Sequence, residues 1–86
     1  LASGSYRILA EGHTASTGRP EGEKQLSIER AQRIVNEMEA RGIDGTLFSI
    51  SGYGGTVPIA PNDTPEGMAM NRRVVLTLQP TEGSWN

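Results

Sequence analysis

Apolar and polar positions alternate from Tyr6, with Tyr6, Ile8 and Ala10 on one side of an extended chain and Arg7, Leu9 and Glu11 on the other. That period of two predicts a strand over 6–12, ending at Gly12 where the backbone can turn out of a sheet. Residues 13–25 carry Gly, Thr, Ser, Pro, Glu and Lys without an apolar period and read as a long loop. Loops of that length in compact domains are often functional. From Ser27 the pattern changes: Ile28, Ala31, Ile34, Val35 and Met38 recur at the helical spacing of three and four, with Glu29, Arg33, Glu37 and Arg41 opposite them. The spacing predicts an amphipathic helix with Ser27 as N-cap, Glu-to-Arg pairs at 29–33 and 37–41, and Gly42 as the left-handed residue that stops it.

Thr46 to Ser51 reads as a second strand with Phe48 and Ile50 on one side. Strand, helix, strand in this order predicts a right-handed crossover and a parallel pair. The prolines at 58, 61 and 65, with Asn62 and Asp63 between them, keep 56–65 in extended and turn conformations. Thr64-Pro65-Glu66 then has the form of a helix start, Thr64 capping and Pro65 in the first turn, for a short helix to about Met70. The cleanest alternation in the chain is Arg73 to Gln79, which predicts a last strand with Val74, Leu76 and Leu78 inward. Pro80 ends it, and 81–86 reads as a flexible tail in which Trp85 packs loosely. Met68 and Met70 are read as core fillers.

The junction between the first strand and the helix is the place to look for chemistry, since strand-to-helix junctions commonly hold ligands. With Ser27 as N-cap, Arg30 falls at the third helical position, where free N–H groups and the macrodipole already present positive charge. Two readings stay open there: an arginine turned to solvent or paired with Glu23, or one that binds an anion. The Asn71-Arg72-Arg73 segment has a similar pair of readings, an arginine paired with a carboxylate such as Glu11 or a second cationic contact for a ligand.

Composition narrows the classes. Eighty-six residues make one small domain, and eight basic against ten acidic side chains, net −2, leave no basic stripe for a nucleic acid. No cysteine is present, which removes disulfides, thiolate nucleophiles and cysteine metal sites, and His13 is the single histidine. No Gly-x-Ser-x-Gly elbow, no G-x-G-x-x-G and no Walker lysine occurs, so neither a hydrolase nor a nucleotide site is expected. No apolar run approaches the roughly 20 residues needed to span a bilayer. A chain opening on Leu1 reads as a piece of a longer protein with its targeting parts elsewhere.

Five blocks in fixed order carry a family resemblance: Gly12-His13-Thr14-x-Ser16-Thr17-Gly18, Leu26-Ser27-x-x-Arg30-Ala31, Gly52-Tyr53-Gly54, Pro58-Ile59-Ala60, and Thr64-Pro65-Glu66-Gly67 leading to Asn71-Arg72-Arg73-Val74. From about Tyr6 to Leu78 the chain resembles the OmpA-like peptidoglycan-binding domain. The resemblance implies an α+β (α/β sandwich) fold of βαβαββ outline, a mixed sheet with helices on one face, entered here at its second strand so that the first strand and helix are lacking. The domain would occupy 1–80, followed by the tail at 81–86.

In that family an Asp follows Gly-His-Thr and takes the ammonium of diaminopimelate in the peptidoglycan stem peptide, while the arginine of Leu-Ser-x-x-Arg takes its carboxylate. Here Ala15 stands at the Asp position and Arg30 at the arginine; Glu23 stands where the family often has Asn. The resemblance therefore implies a non-catalytic, cofactor-free and metal-free module of the periplasm, associated with the outer membrane or cell wall, without membrane insertion of its own. Its ligand residues would be Thr14, Ala15, Arg30, Asn71, Arg72 and Arg73, with stem-peptide binding weakened or altered by Ala15. The alternative is a degenerate domain serving as a structural or protein-interaction module. The missing first strand implies that the last strand pairs with an upstream segment or with another chain.

Overall fold

The computed structural model describes residues 6–80. The expected tail at 81–86, with Trp85, lies outside the described residues. Strand β1, Tyr6–Gly12, is central in a three-stranded sheet of order β2-β1-β3. It pairs in parallel with β2, Phe48–Gly52, with Ile8 opposite Phe48 and Gly12 opposite Gly52, and antiparallel with β3, Val74–Pro80, with Ala10 opposite Leu76. The parallel pair is as the strand–helix–strand order predicts, and the mixed sheet is as the resemblance implies.

Helix α1 departs from expectation at its start. It runs Pro20–Ala40, with Pro20 in the first turn and Glu21 and Glu23 near the positive end of the dipole. Ser27 is therefore not an N-cap: it sits two turns inside, its hydroxyl donating to the Lys24 carbonyl at 2.6 Å and accepting from the Gly54 N–H at 2.9 Å. The early turns escape an apolar period because the side chains they bury are Glu23 and Ser27. The end is as predicted, Gly42 following at φ +96° with its N–H on the Glu39 carbonyl. Of the two expected helix-surface pairs, Arg41 and Glu37 meet at 4.0 Å, whereas Glu29 receives Gln25 at 3.3 Å.

Small residues bring α1 down onto the sheet. Ala10, Ala31 and Val35 are the buried centre, with Phe48, Ile50 and Val74 packed around them. At the end of β1 the approach is closer still: a Cβ on Gly12 would fall on the Ser27 carbonyl, so only glycine fits there. Before β2 a single 3₁₀ turn, Gly45–Leu47, replaces the first residues of the expected strand, because Asp44 accepts from the Thr46 N–H and hydroxyl and caps it. Helix α2, Pro65–Asn71, begins as predicted, the Thr64 hydroxyl accepting from the Gly67 N–H at 3.0 Å.

Strand β3 needs a correction. Val74, Leu76 and Leu78 do share one side, the side on which α1 lies, but α1 covers chiefly β1 and β2. Leu76 is 41% exposed and Leu78 67%, so the alternation marks a face that these residues leave uncovered. Met70, expected in the core, is likewise exposed at 56%.

Candidate functional site

The loop 13–19 leaves β1 and is held mostly through its own main-chain groups, which bond partly to other main chain and partly to the side chains of Asn62, Glu23 and Arg30. His13 exchanges N–H···O=C bonds with Arg73, at 2.8 and 3.3 Å, and Thr14 donates to the Gly54 carbonyl at 2.9 Å. Further along, the Ser16 N–H donates to Asn62 Oδ1 at 3.0 Å. The Glu23 carboxylate reaches back from the first turn of α1 and accepts from the Thr17 N–H at 2.6 Å, the Thr17 hydroxyl at 2.8 Å and the Arg19 N–H at 3.1 Å. Those bonds, the Thr17 N–H foremost, hold the Glu23 carboxyl below its ordinary pKa. Glu23 is thus a loop fastener and is not paired with Arg30.

Asn71 is completely buried and uses all of its side-chain hydrogen-bonding capacity inside the protein. Its Oδ1 accepts from the N–H groups of Ile59 and Ala60 at 2.8 and 3.1 Å, and its Nδ2 donates to the Ala60 carbonyl and to Asn62 Oδ1, both at 2.9 Å. Asn62 joins this cluster to the loop, since one oxygen serves both Asn71 and Ser16. Nothing in the sequence pattern had singled out Asn62; its place between two prolines, in a segment with turn chemistry, was the available signal.

Arg30 lies in the middle of α1, so the macrodipole does not act on it as the shorter helix would require. Instead its Nη1 donates to the His13 carbonyl at 3.2 Å, which points the guanidinium at the root of the loop. Burial, then the nearby charges of Arg72 and Arg33, lower its pKa from the ordinary value; it stays fully charged at neutral pH. Arg73 donates to the carbonyls of Val57 at 3.0 Å and Asn71 at 3.4 Å, not to Glu11. Glu11 instead sits by the Tyr53 hydroxyl and raises that group above its usual value, through a hydrogen bond first and charge second.

Together Arg30, Arg33, Arg72 and Arg73, with Ile34 and Val74, line a pocket of about 360 Å³. No carboxylate lines it, and among the described residues none of the four guanidinium groups has an acidic partner within 4.0 Å. Such a pocket is built to take a carboxylate or other anion through bidentate, charge-assisted hydrogen bonds. Of the six expected ligand residues it brings together Arg30, Arg72 and Arg73. Thr14, Ala15 and Asn71 do not line it: Thr14 is buried with its hydroxyl on the Ala15 carbonyl at 2.9 Å, and Ala15 is 3% exposed. Arg33 was missed because its place opposite the apolar stripe assigned it to a solvated face.

Beside the pocket, His13 is buried and its ring stacks on Tyr53, centroids 5.3 Å apart and planes 14° from parallel. Burial foremost, then the Arg73 charge, push its pKa down, with Glu11 acting the other way. The ring is neutral near pH 7. A separate groove of about 490 Å³ runs along Pro20, Lys24, Ile28, Tyr53 and Thr56 and shares no residue with the arginine pocket. Among the described residues no group of three or more His, Asp or Glu is placed to hold a metal ion, and no helix is long and apolar enough to cross a membrane.

A mixed sheet with α1 on one face, a loop hung from the end of β1 and an arginine at its root define a small binding domain, and the comparisons say of which kind. The OmpA family model matches residues 1–72, and the chain belongs to that family. It is 41% identical over 69 residues to the probable lipoprotein YiaD of Escherichia coli, covering 80% of this chain and 32% of that protein. It is 39% identical over 72 residues to the peptidoglycan-binding protein ArfA of Mycobacterium tuberculosis, covering 84% of this chain and 22% of that one. The chain thus spans about a third or less of these relatives. Among solved structures it resembles the C-terminal domain of Helicobacter pylori MotB, with a TM-score of 0.79 and 32% identity over 92% of this chain and 60% of that one. The peptidoglycan-associated lipoprotein of Burkholderia pseudomallei superposes with a TM-score of 0.81 at 26% identity, over 86% and 63% of the two chains.

Proposed function

We propose that this chain is a non-catalytic cell-wall-binding module that holds the peptidoglycan stem peptide in the periplasm, at the outer membrane or cell wall. The observation that carries the reading is the pocket of four arginines at the root of the Gly-His-Thr loop, none with a carboxylate partner among the described residues. Kinship with a peptidoglycan-binding protein and with an envelope lipoprotein supports it. In this reading Arg30 is the anchor for a stem-peptide carboxylate, Arg72 and Arg73 add charge, and Asn71 and Thr14 position the loops around them. Ala15 offers no carboxylate for an ammonium, so the grip is weaker or differently selective than an Asp would make it.

Retention on purified sacculi tests this directly. The parent chain is expected to sediment with sacculi, and Arg30→Ala is expected to stay in the supernatant with unchanged far-UV circular dichroism, the helix being independent of that side chain. Equal sedimentation of parent and variant would sink the assignment of the anchor.

A second reading is favoured by a separate observation, the exposed Leu76 and Leu78 on the outer strand. In it the domain keeps the fold as a structural or protein-interaction module. In either case the edge of β3 that the described residues leave unpaired, with its apolar side, is a pairing surface for a strand from an upstream segment or another chain, since an uncovered edge of this kind is a hazard in isolation.

A further inference from the structure

The arginine pocket differs from a site for a zwitterion in one respect: it holds only one sign of charge. Its guanidinium groups come from two turns of α1, at 30 and 33, and from the segment leading into β3, at 72 and 73. The carboxylates nearest along α1 are engaged elsewhere: Glu29 accepts from Gln25 and Glu37 meets Arg41, while Glu23 Oε2 is held by three donors from residues 17 and 19 and lies two turns of helix, roughly 10 Å, from Arg30. Glu11 is turned to Tyr53. Position 15 is an alanine and is buried.

An α-amino acid centre carries its amine and its carboxylate on one carbon. A carboxylate gripped by Arg30 therefore brings its own ammonium into the field of the other guanidinium groups, with no anion to receive it. Acylating the amine removes the repelled charge and leaves the carboxylate in place. In a cell wall that acylation is what a peptide cross-link does to the side-chain amine of a diamino acid. Resting on the stem-peptide reading above, we propose that the arginine pocket favours a diamino acid residue whose side-chain amine is acylated, as in a cross-link, over one whose amine is free.

Three synthetic tripeptides ending in diaminopimelate test this by calorimetry on the 86-residue chain at low salt: the free peptide, the peptide N-acetylated on the side-chain amine, and the acetylated peptide with its diaminopimelate carboxylates amidated. The acetylated peptide is expected to bind about threefold or more tighter than the free one, the scale of a partly screened charge interaction, and the amidated peptide is expected not to bind. Arg33→Gln, a change at the exposed rim of the pocket, should bring the ratio toward one. Equal or tighter binding of the free amine by the parent would overturn the proposal, as would binding of the amidated peptide. Retention on sacculi with no preference between peptides would defeat this inference alone, whereas absence of both retention and peptide binding would defeat the stem-peptide reading itself.

Discussion

Removing the Asn71 side chain should be among the most damaging single changes in the domain. Asn71→Ala deletes four hydrogen bonds and leaves two N–H groups, at Ile59 and Ala60, and the Ala60 carbonyl without their partner. Each net bond is worth about 1 kcal/mol, and a buried group left unsatisfied costs about 1 to 3 kcal/mol. Ile59 is exposed and Ala60 half-buried, so water recovers part of the loss, and a total of roughly 2 to 4 kcal/mol is expected. Against the 5 to 15 kcal/mol that holds a typical domain, that is a large fraction, and in a domain this small it lowers the melting temperature by about 10 °C or more. Asn71→Asp should be no milder, because it keeps the acceptor but faces a charge toward the Ala60 carbonyl and Asn62 Oδ1. Urea unfolding of parent and variants, compared at equal slope, measures the difference. A loss below about 1 kcal/mol for both variants would refute the claim that this amide fastens residues 59–62.

Acid should loosen the binding loop before it unfolds the sheet. The folded-state pKa of Glu23 lies below its ordinary value of 4.5, so the bonds it accepts stabilise fully above that value and are lost as pH falls through the lower, folded one. The protection of the Thr17 and Arg19 amides, measured against the intrinsic exchange rate at each pH, should therefore fall below about pH 4.5, and Glu23→Gln should flatten that dependence; protection that stays constant down to acid unfolding would contradict it. On the outer strand, Leu78→Lys is expected to suppress concentration-dependent self-association in sedimentation equilibrium while shifting stability by no more than about 0.5 kcal/mol, and a parent chain that stays monomeric at millimolar concentration would remove the reason for it.

The three strands, the second half of α1 and the Thr64-capped helix were legible because each carries its own period or cap. The first two turns of α1 were not, since the side chains they bury are Glu23 and Ser27 and polar contacts leave no apolar rhythm. Pro20 followed by Glu21 and Glu23 has the form of a helix start, but the reading of 13–25 as loop passed over it. Arg30 was singled out for a reason the structure does not support, its place near a helix N-terminus, and it reaches the loop from mid-helix instead. The pocket around it depends on bringing residues 30 and 33 against 72 and 73, which no local pattern encodes. The exposure of Leu76 and Leu78 was hidden from the alternation alone, which shows which side of a strand is apolar and not whether anything covers it; the resemblance pointed to it, through the lacking first strand and helix.

The main-chain suspension of the 13–19 loop has an evolutionary corollary. His13 and Thr14 are fixed through backbone atoms of Arg73 and Gly54, and Ser16 through its N–H, so the course of the loop is set by main-chain groups that every residue type carries. A scaffold of this kind lets one side chain change while its neighbours stay where they are. Substitutions in the loop that leave these main-chain bonds intact can then change its side chains within an unchanged framework.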